Sequence, residues 1–151
     1  MNLARRRKAR KLIMQALYQW QMSGGSSRQI EAQFREEAGT KVDWDYFCEV
    51  LPAIIADCDA LDARITPLLD REFKSLDPVE KALLRMGAFE LTQRVDIPYR
   101  VVINESVDLA RSFGASESHK YINSILDRLA KSERRAEIST GVDTLSGSPR
   151  Q

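Results

Sequence analysis

The sequence DPVEKALLRMGAFEL, residues 77–91, gives the clearest local prediction of structure in this chain of 151 residues. Asp77 can cap a helix, Pro78 suits the first helical position, and Glu80 stands where a capping box places its carboxylate. Apolar residues then recur at helical spacing: Val79, Leu83, Met86 and Leu91. The stretch therefore predicts an amphipathic helix with a defined start.

Helical spacing of apolar residues continues in both directions from this stretch. Toward the N-terminus it predicts three helices, at about residues 3–22, 27–38 and 43–69, with Pro67 as a possible kink in the third. Toward the C-terminus, a turn at residues 96–98 precedes a fifth helix that Gly114 ends, and Ser116 can cap a sixth. The alternation typical of strands is absent from the sequence.

These elements predict an all-α fold of about six helices in two packed three-helix subdomains. The first subdomain would span residues 1–75 and the second residues 76–135. Residues 136–151 are polar and contain few apolar side chains, so the composition predicts a disordered tail.

The charge distribution is strongly uneven, although the net charge is only +1. Residues 1–11 contain six basic side chains and no acidic one, whereas residues 12–75 contain six basic and eleven acidic ones. Cations at a helix N-terminus oppose the helix dipole, and the acidic side chains four residues away that could offset them are missing. The run Arg5-Arg6-Arg7-Lys8-Ala9-Arg10-Lys11 is usually a solvated helix end, but this arrangement favours an external polyanion.

A second cluster, residues 116–121, combines hydroxyl groups, Lys120 and Tyr121 at a predicted helix start. Proteins recognise single-stranded RNA by stacking its bases on aromatic rings and by bonding to its exposed base edges. The cluster alone is a weak indication, because Tyr121 could be a packing residue and His119 an ordinary surface histidine.

The sequence shows no catalytic motif, no metal-ligand spacing and no phosphate-binding loop, so we expect neither an enzyme, a metal site nor a cofactor. Apolar runs are too short for a membrane span, and the basic N-terminus lacks the apolar core of a signal peptide. The two cysteines match no disulfide framework. We therefore expect a cytoplasmic protein.

Several stretches together resemble the NusB family of bacterial transcription antitermination factors. The resemblance covers about residues 4–130, whereas residues 23–70 match mainly in pattern. The matching stretches are RRRKAR (5–10), QALYQWQ (15–21), VEKALLR (79–85), EL (90–91), IPYRVVINE (97–105), LARSFG (109–114) and SHKYINSILD (118–127).

The resemblance implies an all-helical fold of two three-helix subdomains and a role in transcription. NusB-like proteins pair with NusE, a small-subunit ribosomal protein, and the pair binds boxA RNA in nascent ribosomal transcripts. The complex helps RNA polymerase resist termination, so other Nus factors and the polymerase would be indirect partners.

The resemblance also assigns roles to individual residues by position. RNA-binding residues would be Arg5, Arg6, Arg7, Arg10, Lys120 and Tyr121. The surface that meets NusE would include Tyr18, Glu80 and Glu117. Asn104 and Asn123 recur in the family motifs, and we expect them to form structural hydrogen bonds.

Two other classes of function stay open at this level. The chain could be a helical protein interaction module without direct RNA binding. It could also be an enzyme, since NusB-like domains occur fused to RNA methyltransferases, but little sequence follows the last predicted helix. The sequence does not decide between a monomer and a homodimer, nor does it reveal which RNA sequence is preferred.

Overall fold

The computed structural model describes residues 2–144, which form eight α-helices and no strand. The all-α prediction is confirmed, but the helix count of about six is too low. The helices are α1 (Leu3–Ser23), α2 (Ser27–Ala38), α3 (Trp44–Ala56), α4 (Cys58–Ile65), α5 (Pro78–Gln93), α6 (Tyr99–Phe113), α7 (Ser118–Glu133) and α8 (Arg135–Thr144). Two short 3₁₀ turns, Thr66–Leu68 and Phe73–Ser75, connect α4 to α5.

The start of α5 forms the capping box that the sequence predicts. The Asp77 carboxylate accepts a hydrogen bond from the Glu80 backbone N–H at 2.9 Å, and the Glu80 carboxylate accepts one from the Asp77 N–H at 3.4 Å. Pro78 occupies the first helical position, where a backbone N–H would have no partner within the helix. Local chemistry alone therefore fixes where this helix begins.

The predicted third helix is in fact two helices, which meet at Asp57. The break lets α4 pack against α5, with Cys58, Leu61 and Ile65 buried. On the same helix, Asp62 accepts two hydrogen bonds from the Arg85 guanidinium of α5, at 2.9 and 2.8 Å. These tertiary contacts are not visible in the periodicity of the sequence.

Helix α8 covers most of the segment for which the composition predicts a disordered tail. That prediction is wrong for residues 136–144, and residues 145–151 lie outside the described part of the chain. Arg134, just before α8, is buried and donates hydrogen bonds to the backbone carbonyls of Leu91, Glu90 and Arg94 at the end of α5. Glu137 pairs with Arg134 and accepts a hydrogen bond from the Tyr99 N–H, so both residues fix the start of α8.

Helix α5 lies at the centre of the molecule, in contact with α1, α3, α4, α6 and α7. Gly87 permits close packing of α5 against α7, because a Cβ atom at this position would lie 2.7 Å from the Leu126 side chain of α7. One continuous core contains residues from both sides of residue 75, so the division into subdomains at that point stays a prediction. Among residues 2–144, no helix combines the length and the apolar character that crossing a bilayer requires.

Candidate nucleic-acid interface

The basic run at the start of α1 is divided between the protein interior and the surface. The structure buries Arg10, leaves Arg6 only 14% exposed at its side chain, and leaves Arg5 and Arg7 exposed. Three acidic residues distant in sequence compensate part of the charge, since Arg6 pairs with Asp43, Arg7 with Glu105, and Arg10 with Glu90. Tertiary contacts therefore supply part of the charge compensation that the neighbouring sequence lacks.

Arg10 belongs to a buried polar cluster with Tyr46 and Glu90. Its Nε donates to the Glu90 carboxylate at 3.0 Å, and the Tyr46 hydroxyl donates to the same oxygen. Burial favours the neutral form of the guanidinium, but the Glu90 carboxylate outweighs this effect and raises the pKa of Arg10. The prediction that Arg10 contacts RNA is corrected, because its side chain is only 3% exposed and is bonded internally.

Arg6 packs against the same cluster from the outside. Its guanidinium lies 3.9 Å from the centre of the Tyr46 ring, and its Nε donates to Asp43 at 2.9 Å. Burial alone would raise the pKa of Asp43, but hydrogen bonds from Arg6 and the Tyr46 N–H lower it on balance. The contacts of Arg6 therefore hold the start of α3 against α1.

Arg7 points away from this cluster, into a groove of about 780 Å³ between α1, α6 and α7. We call this cleft the central groove. Its polar lining includes Arg7, Asn104, Glu105, His119, Lys120 and Asn123. The fold thus brings together Arg7 and Lys120, which are far apart in the sequence and which the resemblance assigns to RNA binding.

Asn104 and Asn123 are exposed in the central groove. This position corrects the expectation that they are structural groups bonded to helix ends or to each other. An asparagine side chain offers both donors and an acceptor, the groups that can bond to the edge of an unpaired base. The groove therefore combines cations with groups suited to base recognition.

Tyr121 lies in a second, smaller groove of about 500 Å³, which we call the side groove. Its lining includes Arg71, Glu80, Glu117, Ser118, Lys120 and Tyr121. Arg71 places its guanidinium 4.5 Å from the centre of the Tyr121 ring, and the Tyr121 hydroxyl donates to Asp70 at 2.9 Å. Burial, together with this hydrogen bond, raises the pKa of Tyr121. Lys120 lines both grooves.

The three residues predicted to meet a protein partner have different environments. Tyr18 is 41% exposed on α1, and Glu117 is exposed and pairs with Lys120 at 3.0 Å. Glu80 is only 8% exposed, and its carboxylate accepts a hydrogen bond from the Ser118 hydroxyl at 2.8 Å. Glu80 thus ties the start of α7 to the start of α5. The structure also shows no side-chain cap at Ser116, because α7 begins at Ser118.

Arg71 and Glu105 are among the groove residues that sequence reasoning missed. Arg71 follows a predicted helix end in a segment without a distinctive motif, so the sequence gives no signal for its contact with Tyr121. Glu105 is the last residue of IPYRVVINE, one of the stretches on which the family resemblance rests, so the sequence does mark its position. Its pairing with Arg7 depends on how α1 packs beside α6, which the sequence alone does not reveal.

Known proteins resemble this chain in sequence and in fold. The sequence profile of the NusB family matches residues 7–131. The transcription antitermination protein NusB of Alcanivorax borkumensis is 52% identical over 135 residues, which cover 89% of this chain and 90% of that protein. NusB of Idiomarina loihiensis is 53% identical over 129 residues, or 85% and 93% of the two chains.

A solved structure has the same fold. It contains antitermination factors NusB and NusE in complex with double-stranded RNA. The matched chain superposes with a TM-score of 0.79 at 22% identity, and the match covers 87% of this chain and 99% of that one.

Proposed function

The chain belongs to the NusB family, and we propose that it is a transcription antitermination factor that binds boxA-type single-stranded RNA together with NusE. Acting on nascent ribosomal transcripts, it would help the elongating RNA polymerase resist termination. Other Nus factors and the polymerase would then be indirect partners. The matched relatives are transcription antitermination proteins, in agreement with the prediction that the chain is not an enzyme.

The observation that carries the proposal is the central groove. Arg7 and Lys120 approach it from two different helices, and Asn104 and Asn123 are exposed between them. Arginine and lysine neutralise phosphates, while amide groups can bond to base edges, so the groove offers both parts of single-strand recognition. We assign phosphate contacts to Arg5, Arg7 and Lys120, and base stacking to Tyr121, whereas Arg6 and Arg10 support the fold.

Replacing Arg7 and Lys120 together by alanine is expected to weaken RNA binding about tenfold or more at low salt. Two phosphate contacts would be lost, so the fall of log affinity with log salt should become less steep by about 1.4. Fluorescence anisotropy measures both quantities, with a labelled boxA RNA titrated against the chain in the presence of NusE and increasing potassium chloride.

The matched control is the double variant Arg28→Ala and Lys41→Ala, which removes the same charge from exposed positions outside both grooves. We expect its affinity to stay within about twofold of the unaltered chain, since these cations lie outside the proposed path of the RNA. Equal losses in the two double variants would contradict the site. A salt-independent affinity of the unaltered chain would instead favour a protein interaction module without direct RNA binding.

We propose that NusE contacts the exposed apolar side chains near the middle and end of α1. Tyr18 and Met22 are four residues apart on one face and are 41% and 60% exposed, and Phe113 of α6 is 42% exposed. Exposed aromatic residues of this kind often carry much of the binding energy of an interface. A second copy of this chain is the alternative occupant of this surface, which would make the protein a homodimer.

Tyr18→Ala is expected to lower the affinity for NusE about tenfold or more, because interface tyrosines are frequent hot spots. Isothermal titration calorimetry with purified NusE measures the change. Val95→Ala is the control, since Val95 is 75% exposed in the turn between α5 and α6. An unchanged affinity of the Tyr18 variant would place the NusE surface elsewhere.

We also infer that the protein acts in the cytoplasm, where bacterial transcription takes place. The absence of a membrane-spanning helix in the described residues is compatible with this location.

A further inference from the structure

We propose that Glu105 is a positioning residue that holds the Arg7 guanidinium in the orientation required to bind an RNA phosphate. The inference rests on the proposed function, and it assigns to an acidic residue of the central groove a favourable effect on the binding of a polyanion.

The contact between the two side chains leaves part of the guanidinium available. The Nε of Arg7 donates to the Glu105 carboxylate at 3.0 Å, and the Arg7 side chain is still 59% exposed. Arginine has five N–H donors in a planar fork, so occupation of Nε leaves the two Nη groups for a second acceptor. These groups can bind a phosphate through two parallel hydrogen bonds.

Glu105 itself has little freedom to move. Its side chain is only 13% exposed, and it extends from the middle of α6. The same helix is anchored in the core by buried residues on either side of it, including Val102 and Val107. Arg7, by contrast, carries a long flexible side chain, which loses considerable conformational entropy when a ligand fixes it. A rigid acceptor that fixes the guanidinium before RNA arrives reduces this loss on binding.

The opposite role for Glu105, competition with RNA for Arg7, predicts an effect of opposite sign. Removing a negative charge beside a polyanion should by itself strengthen binding. If Glu105 positions Arg7, its removal should weaken binding in spite of the lost repulsion. The sign of the change therefore separates the two roles.

The test compares Glu105→Ala, Arg7→Ala and the double variant for binding to a labelled boxA RNA in the presence of NusE. Glu105→Ala is expected to reduce affinity about threefold to tenfold. It should have no further effect in the Arg7→Ala background, because the two residues act as a unit. Increased affinity, or an equal loss in both backgrounds, would overturn the proposal.

Glu37→Ala is the matched control, because Glu37 is an exposed acidic residue near the end of α2, outside both the central groove and the side groove. It removes the same charge without touching the contact between Arg7 and Glu105, so its affinity should stay equal or increase. A loss in this variant as large as that of Glu105→Ala would show a general requirement for negative charge and overturn the positioning role.

Arg7→Lys keeps the proposal testable if Glu105→Ala does not fold. Lysine retains the charge but has a single ammonium group, which cannot bond to Glu105 and also present a fork to a phosphate. We expect Arg7→Lys to lose nearly as much affinity as Arg7→Ala, and retention of most of the affinity would refute positioning. If the unaltered chain with NusE does not bind the RNA at all, the proposed function itself fails.

Discussion

Replacing Arg10 by alanine is expected to lower the free energy of unfolding by about 3–5 kcal/mol. The substitution removes the charged partner of Glu90, whose side chain is only 1% exposed. One Glu90 oxygen, Oε1, already has no hydrogen-bond partner in the structure, so the carboxylate would keep only the Tyr46 hydroxyl. An uncompensated buried charge is among the most destabilising features that a single substitution can create. Urea denaturation followed by circular dichroism measures the change.

Two controls separate the loss of the ion pair from other effects. Lys8→Ala removes a cation from an exposed position two residues earlier, and its stability should change by less than about 0.5 kcal/mol. The triple variant Arg10→Met, Tyr46→Phe and Glu90→Leu replaces the whole cluster by apolar groups and should recover most of the lost stability. If the triple variant were less stable than Arg10→Ala, the argument from uncompensated charge would be wrong.

Replacing Arg134 by alanine is expected to lower the free energy of unfolding by about 3 kcal/mol. Arg134 is 4% exposed and donates to three backbone carbonyls, those of Leu91, Glu90 and Arg94, at 2.8–3.1 Å. Without it, these carbonyls lose a charged donor and Glu137 loses its ion pair. We expect α8 to become less stable than the rest of the molecule, because Arg134 and Glu137 fix its start.

Amide hydrogen exchange distinguishes this local effect from global destabilisation. In Arg134→Ala, exchange should increase most in residues 135–144, while the protection of α5 and α7 should decrease in proportion to the lost stability. Arg135→Ala is the matched control, since Arg135 is the exposed neighbour. A uniform increase in exchange over the whole chain would contradict the anchoring role of Arg134.

Much of the fold follows from local sequence signals. The capping box of Asp77 and Glu80 predicts the start of α5, and the glycines that follow α2 and α6 predict where these helices end. The division at Asp57 and helix α8 could not be predicted in this way. Both depend on contacts with α5, through Asp62 in one case and Arg134 in the other, which the spacing of apolar residues does not record.

The site is predictable in composition but not in geometry. The basic run on α1 marks one candidate binding region, and residues 116–121 mark a second one. Which arginines face solvent depends on partners 37, 98 and 80 residues away, which pair with Arg6, Arg7 and Arg10 respectively. Local reasoning treats the run as uniformly exposed, because these partners lie on α3, α6 and α5 or directly before them.

The ion pair between Glu117 and Lys120 has a thermodynamic consequence for a protein with two ligands. The resemblance assigns Glu117 to the surface that meets NusE, whereas Lys120 belongs to the proposed RNA surface. A partner that engages Glu117 would release the Lys120 ammonium for phosphate, and RNA that engages Lys120 would release Glu117. Linkage makes such coupling reciprocal, so the factor by which NusE raises RNA affinity equals the factor by which RNA raises the affinity for NusE.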